Sequence, residues 1–170
     1  TKRKTFTLDQ DVVFNEIVLN KEVSHKHLGI VFSSDLSWNL HINTIISKAS
    51  SRINILKALQ FRVPRLCLEH IYEYMILPII EYADIIYDNL PQNLSWELEL
   101  LQRQAAIACT GAYRHTKHDV LLKELGWVYL STRRKCHRLI IMFKIVNGFT
   151  PQYLKTIVPC TVVQRSRYNL

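Results

Sequence analysis

The sequence predicts a mostly α-helical protein with a small antiparallel β hairpin or meander at its N-terminal end, followed by a bundle of about five helices. Three observations carry this expectation. After Phe32 the apolar residues stop recurring in short runs and begin to recur at spacings of three and four. Prolines and glycines stand near the ends of the periodic stretches, where helices start and stop. Finally, 48% of the 170 residues are hydrophobic and 21% are charged, which suits a packed core and excludes a disordered chain. A chain of this size can bury roughly 70% of its unfolded surface, so one domain or a little more is expected.

Residues 6–32 read as β. Val12-Val13-Phe14 and Ile17-Val18-Leu19 flank Asn15-Glu16, which suits a tight turn. Asn20-Lys21-Glu22 suggests another turn, and His27 to Phe32 reads as a later strand interrupted by Gly29. A glycine inside a strand has no side chain to pack, so Gly29 is expected to let another backbone or a ligand approach closely. A sheet this small is marginal alone and needs a neighbour to cover its apolar face.

The helices follow in order. Ser33-Ser34-Asp35 supplies N-cap candidates for a first helix of about six turns. Its stripe is Trp38, Ile42, Ile45, Ile46, Ala49, Ile53, Leu56 and Leu59, with Lys48, Arg52 and Lys57 on a broad polar face. Pro64 opens a second helix that runs to Ile86, kinked where Pro78 removes a backbone donor. A third spans about 95–112 and a fourth about 117–125, ending at Gly126. A fifth begins near Ser131 and ends at Gly148. Arg133, Arg134, Lys135 and Arg138 crowd its first half, against the helix dipole, which suggests either a local anionic partner or well-solvated side chains. The last twenty residues, with the basic Gln164-Arg165-Ser166-Arg167, look less regular.

The net charge is +8, and it is unevenly distributed. Residues 63–100 carry one Lys/Arg against seven Asp/Glu, whereas residues 101–150 carry nine against two. Residues 35–62 carry four against one. Basic surface attracts phosphates by steering and counterion release, so a nucleic-acid partner is a natural candidate. Cys67, Cys109, Cys136 and Cys160 are widely spaced without a CxxC pair and read as reduced, mostly buried thiols of an intracellular protein. No secretory signal opens the chain, and no apolar run reaches the roughly 20 residues a membrane span needs. The start at Thr1 fits a piece of a longer chain.

Catalytic constellations are weak. Tyr82-Ala83-Asp84 is followed by Ile85, and two-metal phosphoryl transfer needs clustered carboxylates, so Asp84 reads as a helix-surface or capping residue. Cys109, His115, His118, Cys136 and His137 lack the close paired spacing of a zinc site. No phosphate-cradling glycine loop occurs, and no serine stands in a nucleophile elbow. About three quarters of Trp38, Tyr72, Tyr74, Tyr82, Tyr87, Trp96, Trp127 and Phe143 are expected to pack in the core.

Several short motifs occur in a telling order. They are His27-Leu28-Gly29-Ile30, Leu36-Ser37-Trp38 with His41-Ile42, Leu77-Pro78-Ile79-Ile80-Glu81-Tyr82-Ala83, Thr110-Gly111-Ala112, Leu125-Gly126-Trp127, Lys144-Ile145-Val146-Asn147-Gly148 and Pro151-Gln152-Tyr153-Leu154. Together they resemble the segment after the palm in non-LTR (LINE-type, Jockey-like) retrotransposon reverse transcriptases, over nearly the whole chain. The resemblance implies three parts. Residues 1–34 would be a β-hairpin remnant of the palm, with His27, Leu28, Gly29 and Ile30 forming a primer grip. Residues 35–112 would be thumb-like helices, and 113–170 a helical connector with a basic tail.

It also implies that the chain binds an RNA–DNA or RNA template–primer duplex beside an upstream palm, in the nucleus or cytoplasm and without a membrane. The parent would be an RNA-directed DNA polymerase using Mg2+. Its catalytic aspartates lie upstream, so this segment would hold no cofactor and be inactive alone. Such a duplex is bound through phosphates rather than base edges. Lys48, Arg52 and Lys57 are the first candidates for phosphate contacts, and Arg133 and Arg134 the second. The latter two have an alternative in the acidic run Glu69, Glu73, Glu81 and Asp84. The apolar faces within 12–32, lacking a palm, are expected to be exposed. A different class of reading is a helical protein–protein interaction module derived from such an element.

Overall fold

The computed structural model describes residues 13–15 and 17–157. Val12, Cys160 and the basic segment 164–167 lie outside the described residues. The fold is mostly α, with antiparallel β hairpins at the N-terminal end. The chain divides into two compact units, 1–44 and 45–170.

In the first unit, β1 (Val13–Phe14) pairs with β2 (Ile17–Val18), and Phe14 stands opposite Ile17 across Asn15-Glu16. Asn15 takes φ 49°, the left-handed conformation that two-residue hairpin turns demand. The next hairpin pairs β3 (Ser24–His27) with β4 (Ile30–Ser33), and His27 stands opposite Ile30. Leu28 and Gly29 are therefore the turn, at φ 46° and 83°. This corrects the expectation of one strand interrupted by glycine. Gly29 is needed for the positive φ of a two-residue turn, not for close approach in mid-strand. Leu28 adopts the same region despite its side chain, a conformation costing about 1–2 kcal/mol for a residue with a Cβ.

Most apolar side chains of these hairpins are uncovered, as expected: Val13, Phe14, Val18, Leu19, Val23 and Leu28 are all exposed. Ile30 is the buried exception. The Val31 amide donates to His41 Nδ1 at 3.4 Å, and the Trp38 ring sits between Phe32 and His41 at 5.9 and 6.1 Å. Asp35 does not cap the following helix. Its Oδ1 accepts from the Ser37 amide at 3.0 Å and closes a turn. The first helical bond runs from the Ile42 amide to the Trp38 carbonyl, which moves the cap position to Trp38.

Helix α1 (Asn39–Leu59) matches the periodic stripe, with Ile42, Ile45, Ala49, Ile53 and Leu56 buried. In the second unit, the expected second helix is three pieces: α2 (Arg65–Ile71), a π-helical turn (Tyr72–Ile76) and α3 (Leu77–Glu81). The Leu77 amide reaches back five residues to the Tyr72 carbonyl. That wide turn directly precedes Pro78, whose ring and missing donor disrupt a regular ladder. The helix stops at Glu81 rather than Ile86, because Tyr82 leaves helical geometry at ψ 116° and Ala83 turns left-handed at φ 56°. Tyr87 is fully buried and its hydroxyl donates to the Ile80 carbonyl, fastening this turn to the end of α3.

Helix α4 (Gln92–Thr110) begins right after Pro91 and ends on left-handed Gly111. It buries Leu94, Leu98, Leu101, Ala105, Ala106, Ala108 and Cys109 along one broad face, while Asn93, Glu97 and Gln104 stay exposed on the other. It packs against α2, against α5 (His118–Leu125) and against α6 (Leu130–Val146). Tyr72 stacks on Trp127 beside it, ring centroids 4.0 Å apart. A short α7 (Gln152–Ile157) occupies part of the stretch expected to be irregular.

The aromatic expectation fails in part. Tyr72 and Tyr87 are buried and Trp38 and Trp127 half-buried, but Tyr74, Tyr82, Trp96 and Phe143 are exposed. Cys67 and Cys136 are exposed and only Cys109 is buried among the described cysteines, against the expectation of mostly buried thiols. Burial pushes the Cys109 thiol up to about 12, which keeps it protonated and unreactive.

Because Leu98 lies at the centre of the α4 core with no exposed surface, Leu98→Ala is expected to lower unfolding free energy by about 2–5 kcal/mol. Urea unfolding followed by circular dichroism measures this. A loss below about 1 kcal/mol would mean that α4 is not the central helix.

Candidate nucleic-acid interface

Two of the four cations at the start of α6, Arg133 and Arg138, meet carboxylates of this same chain, whereas Lys135 stays exposed. Arg133 forms a two-pronged ion pair with Glu81 at the end of α3, one prong being Nη2 to Oε2 at 3.1 Å. His137 Nδ1 lies 2.6 Å from Asp84 Oδ2, and Arg138 pairs with Asp88. The spacings match. Arg133 and His137 stand one helical turn apart on α6 with Arg138 next along the chain, and Glu81, Asp84 and Asp88 follow one another from the end of α3 through the turn after it. Glu81 holds the Arg133 guanidinium above its ordinary pKa.

Arg134 points elsewhere. It is 4% exposed and its Nη2 donates to Ser95 Oγ at 2.7 Å. The assignment of Arg134 to phosphate contact is thereby corrected: a buried guanidinium cannot reach a duplex. Arg133 follows the other course foreseen for it, pairing with the acidic run.

Beneath this row lies Glu99, a carboxylate buried in α4. Its Oε1 accepts from the Ser131 amide at 2.8 Å and its Oε2 from the Leu130 amide at 3.2 Å. A carboxylate there satisfies two unpaired amides at the positive end of the helix dipole. Gln102, one helical step along, donates to the Val128 carbonyl at 3.0 Å. In the sequence Glu99 and Gln102 stand out only as members of the motifs Leu98-Glu99 and Leu101-Gln102, which assign them no structural role. The available signal was two polar residues standing among Leu98, Leu101 and Ala105 on an apolar face.

Asp84 is buried and committed to His137, so it is neither a helix-surface nor a capping residue. A two-metal centre does not fit this arrangement. Among the described residues no three metal-ligating side chains converge, and the one buried aspartate already holds a histidine.

The cations of α1 are placed differently. Lys48 and Arg52 stand one helical turn apart, both exposed, with no ion pair or hydrogen bond to any described residue. With Ser51, Ile55 and Ile79 of α3 they line a shallow depression of about 460 Å3. Lys57 is exposed too, but it lies roughly 140° around the helix from Arg52. Its Nζ donates to Gln104 Oε1 at 3.0 Å. Lys48 and Arg52 therefore form the compact basic pair, and Lys57 belongs to the α1–α4 contact.

No protein-family model, no curated protein and no solved structure matches this chain.

The remaining site residues fall in the first unit. His27 and Ile30 face each other at the end of β3 and β4, and Leu28-Gly29 form the exposed tip between them. The hairpin thus offers a protruding turn rather than a flat strand. No helix among the described residues is long and apolar enough to cross a membrane.

Two predictions arise from this site. Glu99→Ala leaves two buried amides without an acceptor and is expected to destabilise the fold by about 2–4 kcal/mol. Hydrogen exchange should show the first turn of α6 losing protection before α4; equal loss throughout would mean the carboxylate does not anchor α6.

The second concerns His118, whose pKa is lowered by burial of its ring beside Tyr129. A histidine with a depressed folded-state pKa contributes stability that is complete above its unfolded value of about 6.5 and lost as pH falls below it. The stability gap between the wild type and His118→Gln should therefore change between pH 7.5 and 5.5 (about one unit either side of that value). Parallel pH profiles would refute it.

Proposed function

We propose that this chain binds an RNA–DNA template–primer duplex through its phosphates and performs no bond-making step itself. In this reading it is the thumb and connector of an RNA-directed DNA polymerase of the non-LTR retrotransposon type, acting inside the cell beside an upstream palm. The observation that supports it best is the Lys48–Arg52 pair. These two cations are exposed, adjacent and unpaired among the described residues, whereas the three arginines at the start of α6 are engaged internally and only Lys135 there is open. Phosphates are recognised by such cations without regard to sequence, as a polymerase thumb requires.

The turn Leu28-Gly29 is the second contact in this proposal. A glycine at a hairpin tip brings backbone amides close to a phosphodiester or ribose with no side chain between. The exposed apolar residues of β1, β2 and the β3 approach suit the palm surface that the resemblance implies. Any Mg2+ would be bound by that palm; the acids at the end of α3 and in the turn after it are engaged in Glu81–Arg133, Asp84–His137 and Asp88–Arg138. The alternative, a protein–protein interaction module, draws its support from the apolar residues that α6 leaves uncovered.

The test is a salt series of binding to an RNA–DNA hybrid. Each lost phosphate contact reduces the slope of log affinity against log salt by about 0.9, so Lys48→Ala with Arg52→Ala should reduce it by about 2. Arg138→Ala, which removes an internally paired cation, should leave the slope unchanged. An identical slope in the double variant would remove the basis of the proposal.

A further inference from the structure

Helix α6 is apolar on a face that it does not bury. Leu130, Arg134 and Ile145 point inward, while Leu139, Met142, Phe143 and Val146 recur at spacings of three and four along the outside. Ile140 flanks this stripe. Phe149 folds back after Gly148 to bring its ring 6.5 Å from that of Phe143. These six side chains are between 38% and 72% exposed, and Leu139, Ile140, Phe143 and Phe149 line, with Lys144, a groove of about 750 Å3. Monomeric proteins rarely leave so large an apolar patch in water.

Two features point to the occupant. From Leu139 to Val146 the stripe carries no charge. Lys135 borders it one turn before Leu139, and Lys144 lines the groove roughly 140° around the helix from Leu139. An antiparallel pairing centred on Met142 and Phe143 keeps the two copies of Lys135 far apart. An uncharged apolar stripe is self-complementary, because a two-fold axis brings each side chain against its own kind without opposing like charges. Nucleic acid is a poor occupant, since phosphates need cations. The area also fits: with the neighbouring Tyr153, also exposed, the patch offers on the order of 700–800 Å2, close to what each partner contributes to a stable interface.

We propose that this stripe pairs two copies of the chain, α6 against α6, antiparallel about a two-fold axis near Met142 and Phe143. The pairing leaves Lys48 and Arg52 on α1 untouched. It is independent of the nucleic-acid reading and can hold or fail without it.

Sedimentation equilibrium of the 170-residue chain over about 1–100 μM should show a mass rising from monomer to dimer with concentration. The Leu139→Asp, Phe143→Asp variant should remain monomeric with an unchanged helical circular-dichroism spectrum. In a second measurement, Met142→Cys is introduced with Cys67, Cys136 and Cys160 replaced by serine. Two such chains should form a disulfide-linked dimer under mild oxidation, and an Arg62→Cys control should not. A wild type monomeric throughout this range, a dimer that survives the double variant, or an assembly growing beyond two copies would overturn the proposal.

Discussion

The second unit depends on one buried carboxylate. Glu99 stands on the helix that packs against α2, α5 and α6, in a setting where an unpaired charge would be very costly. Two amides from the first turn of α6 answer it. Such an arrangement gains little net stability over an apolar pair, but it is highly position-specific, because any slip of α6 along α4 strands a charge. Fixing the start of α6 then fixes where its cations land. Arg133, His137 and Arg138 arrive beside Glu81, Asp84 and Asp88, and Arg134 turns inward to Ser95.

The turn between α3 and α4 is shaped by the same constraint. A helix continued past Glu81 would stack Glu81, Asp84 and Asp88 along one face of its own. The break at Tyr82 and the left-handed Ala83 carry these acids across to α6 instead. Tyr87, buried and bonded to the Ile80 carbonyl, holds the turn in place, and burial raises its phenol pKa. The π-helical turn upstream shifts the register of this segment by one residue before it meets Pro78.

Net charge is consequently a poor guide to where this protein could meet a polyanion. Of the cations in residues 101–150, Arg133 and Arg138 are neutralised by acids of the segment before it. Arg65 is likewise occupied by Glu69 and Glu124, and Arg103 by the Arg114 and Thr116 carbonyls. Among the described residues, Lys48 and Arg52 form an adjacent exposed pair on α1, and single cations such as Lys117, Lys123 and Lys135 also stay exposed. Helix α6 carries an apolar stripe, so surfaces of opposite chemistry remain open to solvent. They suit different partners, which is why duplex binding and self-association are separable properties.

The sequence by itself determined the class of the fold, because local periodicity and chain punctuation are local physics. The stripe of α1, the stops at Gly111 and Gly126 and the Asn15 hairpin all follow from contacts within a few residues. It also determined that acidic and basic segments would segregate. Tertiary structure alone decided which charges meet, where the second helix breaks and that Leu28-Gly29 is a turn rather than mid-strand. Those outcomes depend on partners up to 59 residues away, as with Arg65 and Glu124. Periodicity also could not tell the buried side of α6 from its uncovered one. Apolar residues lie on both, and only the position of α4 selects the face that leaves water.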